Sequence, residues 1–187
     1  IQLLLEKHVF PDIIARVEGG LGAIASRGMR AVETKRLKNT LTTISATIHR
    51  NIKEAHGLAG TKFIELAELE ATWQAASLKE ALPLEGVSFN VPSPQTLRAL
   101  VTNQPINGKR LREWFSDIEN LTYHNVSQQL QIGLVNGETV QQMVRRLRGT
   151  AAAKFKDGVF NATRNRAATV VRTTANHVSS RAREATY

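Results

Sequence analysis

The chain contains no cysteine, which removes disulfides, thiolate zinc sites and thiol nucleophiles together. Aromatic residues make up only 5% of it, so a core has to be built mainly from Leu, Ile, Val and Ala, a palette better suited to packing helices than to a β-sandwich. No run is long and apolar enough to cross a bilayer. The apolar stretch at Ile1 to Leu5 is too short for a signal peptide and lacks a basic leader and a cleavage site. A start at Ile1 rather than Met implies further residues ahead of it. Also missing are a Walker loop, an HExxH pair and a Gly-x-Ser-x-Gly elbow.

What the chain does have is positive charge, and that charge is uneven. The formal net charge is +9 over 187 residues. From Val140 onward Arg145, Arg146, Arg148, Lys154, Lys156, Arg164, Arg166, Arg172, Arg181 and Arg183 face only Asp157 and Glu184, so this last segment carries +8 of the total. A basic end of this kind suits a polyanionic neighbour, with nucleic acid as the first candidate; a solvated helix face on a basic protein is the bland counterpart.

Periodicity predicts a mainly α fold of long amphipathic helices. Leu3, Leu4, Val9, Ile13, Ile14 and Val17 suit a short amphipathic helix that Pro11 is expected to kink or break, and Gly19, Gly20 and Gly22 suit a turn after it. Leu37, Leu41, Ile44, Ile48, Ile52 and Ala55 make one stripe of a long helix from about Ala23 to His56. Gly57 and Gly60 are expected to interrupt it, with a further helix to Leu82 presenting Leu66, Leu69, Trp73 and Ala76. Residues 1–82 thus form an N-terminal helical region.

Residues 83–108 form an extended linker and short helix. Val87, Phe89 and Val91 alternate among Pro83, Gly86, Pro92 and Pro94, which allows a small β element, and Ser93-Pro94 caps a helix to Asn103. Residues 109–187 form the C-terminal helical region. It holds a helix to Leu134 with Leu111, Trp114, Phe115, Ile118 and Leu121 buried, a turn at Asn136-Gly137, and a short helix from Thr139 to Leu147 closed by Gly149. A polar loop with Lys154, Lys156 and Gly158 follows, then a last helix from about Asn161 with Ala167, Val171, Thr174, Val178 and Ala185 on its packing stripe.

Chemistry-bearing patterns are few. Gly20-x-Gly22-x-x-Ala25 has the spacing of a dinucleotide fingerprint, but the residues before it read as helix, not as the strand that geometry needs. His8, His49, His56, His124 and His177 form no ligand pair with a neighbouring carboxylate, so neither metal nor cofactor is expected. Glu65, Glu68 and Glu70 fit a solvated helix face better than a catalytic carboxylate pair.

The segment Leu130 to Leu147, with Gly133 and Asn136-Gly137 before the short helix, is followed after a basic loop by Asn165 to Asn176, an Ala-rich helix carrying Arg172-Thr173. Together they resemble the minor head, or head morphogenesis, proteins of tailed bacteriophages, the phage Mu F-like family. The resemblance covers roughly Lys109 to Tyr187. Where family members commonly place Glu after Arg-Thr, this chain has Thr174. The resemblance implies a structural virion protein, not an enzyme, in the head interior or at the portal vertex, passing through the host cytoplasm during assembly. Its implied partners are the portal protein, the major capsid protein and packaged double-stranded DNA, with no membrane and no small-molecule substrate; packaging and genome ejection are the steps it would support. Two other readings are a free-standing nucleic-acid-binding helical protein and an interaction segment fused to an enzymatic domain beyond Tyr187.

Overall fold

The computed structural model describes residues 2–22, 31–82 and 88–186. The fold is mainly α. Helix α1 (Gln2–Leu4) leads through a π-helical turn (Leu5–Val9) into α2 (Phe10–Leu21). Then come α3 (Ala31–Ala81), α4 (Pro94–Asn103), α5 (Leu111–Val135), α6 (Val140–Arg148) and α7 (Phe160–Glu184). No strand occurs among the described residues; an isolated antiparallel bridge between Ile106 and Lys109 closes a tight turn in which Asn107 and Gly108 both have positive φ.

Several local expectations hold closely. Ser93 caps α4 by accepting the Thr96 amide, with Pro94 in the first turn, where its missing N–H costs nothing. Thr139 and Gln142 form a capping box at the start of α6, and Gly149 ends that helix.

Others are corrected. Pro11 does not break the first helix. It is accommodated just after the widened turn, where the Phe10 amide reaches back to the Leu5 carbonyl. Gly19 and Gly20 lie inside α2, and a side chain at Gly20 would collide with Thr40 of α3, so this glycine serves close packing. Gly57 and Gly60 do not interrupt α3, which is continuous for 51 residues. Each glycine costs a helix about 1 kcal/mol relative to Ala. Burial of Ile52 and Phe63 on either side of them contributes roughly 1.5–3 kcal/mol per side chain and outweighs that cost.

The expected inner face of the second half of α3 is also corrected. Ala59, Phe63, Ala67, Ala71 and Ala75 are buried there, while Leu69 and Trp73 are 67% and 57% exposed. Small side chains in such a line permit closer approach of a neighbouring helix than leucines do. Phe89 and Val91 lie in irregular backbone, not in a strand. The expected helical residues 23–30, together with Pro83, Gly86 and Val87, fall outside the described residues. In α5 the buried line includes Thr122 in place of Leu121, and in α7 Ala182 in place of Ala185.

The chain divides into two compact units, Ile1–Ala55 with Ser116–Ala168 and His56–Phe115 with Thr169–Tyr187. The first is built around large side chains: Leu5, Ile13 and Leu21, then Ile44 and Ile48, then Ile118 and Leu130, Met143 of α6 and Phe160 of α7. Phe10 and Phe160 stack with centroids 4.2 Å apart. Asp12 accepts from Asn51 Nδ2 at 3.1 Å, and the buried hydroxyls of Thr122 and Thr163 meet at 3.0 Å. The second unit packs the alanine ridge of α3 with Leu97, Leu100 and Val101 of α4, Ile106, Leu111 and Phe115, and Val170, Val178 and Ala182 of α7. The Trp114 indole N–H donates to the Ile106 carbonyl at 3.0 Å.

Candidate functional site

The basic segment between α6 and α7 is a built structure rather than a slack loop. Its two ends meet at Gly149 and Gly158. Gly149 sits at φ 88 and ψ −177, a region essentially closed to side chains. A Cβ on Gly158 would fall on the carbonyl of Arg148 and the amide of Gly149, so both positions need bare backbone. The Val159 amide then donates to the Arg146 carbonyl at 3.1 Å.

Inside this neck, Asp157 receives the Thr150 amide at 2.8 Å and the Thr150 hydroxyl at 2.7 Å. Those two hydrogen bonds, the backbone one first, hold its carboxyl below the ordinary aspartate pKa, and the Arg145 charge adds to the effect. Backbone turns close from Lys154 to Ala151, from Phe155 to Thr150 and from Lys156 to Ala153. Lys154 and Phe155 both take positive φ, 51 and 60, and so stand in an uncommon left-handed pair at the tip. The Arg148 guanidinium lies 5.1 Å from the Phe155 ring centre.

This loop, the start of α7 and α2 enclose a cleft of about 760 Å³. Phe10, Pro11, Ile14 and Phe160 give it apolar surface, and Arg148, Lys154, Lys156 and Arg164 line it together with Glu6 and Glu18 of the helical segment through α2. Arg164 is engaged: its Nε donates to Glu6 at 2.9 Å. Arg148, Lys154 and Lys156 have no ion pair among the described residues and are exposed.

The structure therefore sorts the ten basic residues singled out from sequence. Arg145, Arg148, Lys154 and Lys156 carry charge toward solvent at the loop. Arg146 is committed to Glu138 and to Gln129, and Arg166 to Asp117 at 3.4 Å. Three belong to the other unit. There Arg181 pairs with Glu184, Arg183 pairs with Glu70 at 2.7 Å over the Trp73 ring, and Arg172 is exposed. His49 is likewise engaged, with Glu119 at 3.0 Å.

Sequence reading missed a second basic cluster, in the other unit. Arg98 of α4, Arg110 ahead of α5 and Arg112 within it line one cleft of about 450 Å³, facing Gly57 and Gly60 of α3. None of the three has an ion pair among the described residues. Lys109, Arg110 and Arg112 make a short basic run that the larger excess after Val140 overshadowed, Arg98 stands apart from it, and the two glycines read as helix breakers. Glycines inside an otherwise strong helical stretch were the available signal. His56 lines the same cleft edge-on to Phe115, and burial pushes its pKa below the ordinary value. Among the described residues no group of His, Asp and Glu stands ready to hold a metal ion, and no helix is long and apolar enough to cross a membrane.

Compared with known protein families, with curated proteins and with solved structures, the chain matches none.

Proposed function

We propose that this chain is a structural component of a tailed-phage head, of the minor head type, that touches a polyanion through its basic loop. The sequence resemblance over Lys109 to Tyr187 supports the head assignment. The observation that carries the polyanion half is the necked loop of residues 149–158, whose Lys154 and Lys156 are exposed and, like Arg148, in no ion pair among the described residues. A loop pinned by two glycines and an aspartate presents its charge at little entropic cost on binding. Packaged double-stranded DNA is the polyanion put forward; portal and capsid proteins are the proposed protein neighbours. Contacts of this kind would be to phosphates and indifferent to base sequence.

A sequence-specific reader built on α6 is less well supported. Gln142, which such a helix would present to bases, is occupied by the capping box with Thr139, and Arg146 by Glu138.

Titration of a short duplex at 50 and 200 mM salt tests the DNA half. With three phosphates neutralised, a log–log slope near −0.9 per phosphate lowers affinity by roughly forty-fold between those salts. Lys154→Gln with Lys156→Gln leaves one phosphate, and the same change in salt then lowers affinity by only about four-fold. No binding by the parent chain at 50 mM salt removes DNA as the polyanion. The head half is tested apart from it, by co-purification with co-expressed portal and capsid proteins.

A further inference from the structure

We propose that the cleft of the second unit is an oxyanion site for a phosphate ester, formed by Arg98, Arg110 and Arg112 against the bare backbone of Gly57 and Gly60. Three observations carry this, and none depends on the head-protein reading.

The first is convergence. The three arginines come from α4, from the segment before α5 and from α5 itself, and they line the same cleft of about 450 Å³. Among the described residues no Asp or Glu lines it. Glu113, near in sequence, is engaged with backbone instead, accepting the Arg110 amide at 2.6 Å. Arginines that met only by chance on a surface would repel one another without compensation.

The second is the pair of glycines. Both sit in the interior of a continuous helix, where glycine is the least favoured residue after proline. Neither is needed for packing, since a Cβ at either position would meet nothing within 4 Å, and neither has a positive φ. They therefore leave open space opposite the arginines. Closeness of a ligand to helix backbone is a use that explains both.

The third is chemical fit. Guanidinium forks present paired donors that match phosphate oxygens, and three forks suit a group with three oxygens and more than one negative charge better than a single carboxylate. The cleft is larger than a bare phosphate needs, and Ile64 and Leu111 add apolar surface, so the phosphate would carry an organic group. Two sources offer this chemistry: a phosphorylated small molecule, whose terminal phosphate has three free oxygens and more than one charge, or a nucleic-acid backbone, whose neighbouring phosphodiesters, each with two free oxygens and one charge, would share the three forks.

The test uses the whole chain and pyrophosphate as probe, followed by NMR chemical shifts of the arginine Nε–H groups at low salt. The expected result is saturable shifts in the parent chain, at least a ten-fold loss of affinity in Arg98→Gln with Arg112→Gln, and a comparable loss in Gly57→Gln with Gly60→Gln. In Lys154→Gln with Lys156→Gln, which alters the other unit, affinity should stay unchanged. Absence of shifts in the parent chain overturns the proposal, as does an affinity equal to the parent's in either the arginine or the glycine variant. A short DNA duplex added to the pyrophosphate complex then names the source. Displacement of pyrophosphate supports a nucleic-acid phosphate, and its retention supports a free phosphate ester. Loss of duplex binding in the lysine variant with pyrophosphate binding intact separates this site from the basic loop.

Discussion

The two units hold positive charge in opposite ways. In the first, the cations lie in and beside a short loop, close in sequence, and carboxylates of the helical segment through α2 line the same cleft. In the second, arginines from α4, from the segment before α5 and from α5 line a cleft without carboxylates among the described residues, beside two glycines of α3. The cores differ in parallel. The first unit fills its interior with Phe, Ile and Leu, whereas in the second the α3 side is mainly alanine, packed with Leu97, Leu100, Ile106, Leu111 and Phe115. One interior is therefore expected to be sensitive to lost volume and the other to added volume, because packed cores have few voids to absorb either.

Truncation gives the largest effect. Phe160→Ala removes a fully buried ring stacked on Phe10, and is expected to cost about 3–5 kcal/mol. The corresponding insult to the second unit is Ala71→Leu, which overpacks a position with no exposure and is expected to cost about 1–3 kcal/mol. Denaturant unfolding followed by circular dichroism measures both. Tryptophan fluorescence reports on the second unit selectively, since Trp73 and Trp114 both belong to it. A gain in stability from Ala71→Leu would show a void at the ridge and break the contrast.

Glycines sharpen it with opposite signs. Gly158→Ala has to move the Arg148 carbonyl and the Gly149 amide, and is expected to cost more than about 1 kcal/mol while loosening the basic loop. Gly57→Ala and Gly60→Ala, in open helical positions, are each expected to add about 1 kcal/mol of stability. Thermal unfolding of the three variants decides it. If the α3 substitutions destabilise, the glycines serve the fold and not the cleft.

Much of this was legible in the sequence, for identifiable reasons. Caps and turns are local, so Ser93-Pro94, the start of α6 at Thr139 and the Gly149 stop could be read from a few residues each. The stripe Ile44, Ile48, Ile52 and Ala55 was legible because large aliphatic residues mark one side of the helix. Beyond His56 the same logic misled: apolar size pointed to Leu69 and Trp73, while the buried side carries Ala67 and Ala71. Of the basic residues, Lys154 and Lys156 announced themselves by proximity in sequence. That Arg146, Arg164, Arg166 and Arg183 are neutralised depends on Glu138, Glu6, Asp117 and Glu70, three of them far away along the chain. Arg110 and Arg112 carry a local signal with Lys109, but their sharing one cleft with Arg98 and with Gly57 and Gly60 is tertiary and has none.

The smallest expected effect concerns pH, and it separates the units most cleanly. Both histidines with a depressed pKa lie in the second unit. His56 is lowered by burial, and His177 by burial first and then by the Arg181 charge. The buried Nε2 of His177 has no hydrogen-bond partner among the described residues, so a proton placed there finds no acceptor. A depressed value in the folded state means that the unfolded chain takes up the proton first. The stability these groups contribute is then complete above the ordinary histidine value near 6.5, and it is lost as pH falls from there through the lower folded value. In the first unit the depressed group is Asp157, whose contribution is complete above the ordinary carboxylate range and is lost only in stronger acid. Between about pH 7.5 and 5.5 the fluorescence-detected unfolding midpoint should therefore fall, and His56→Gln should flatten that fall. A midpoint that stays constant over this window, or one that His56→Gln leaves equally steep, would remove His56 as the source and leave the cleft it lines without a pH response.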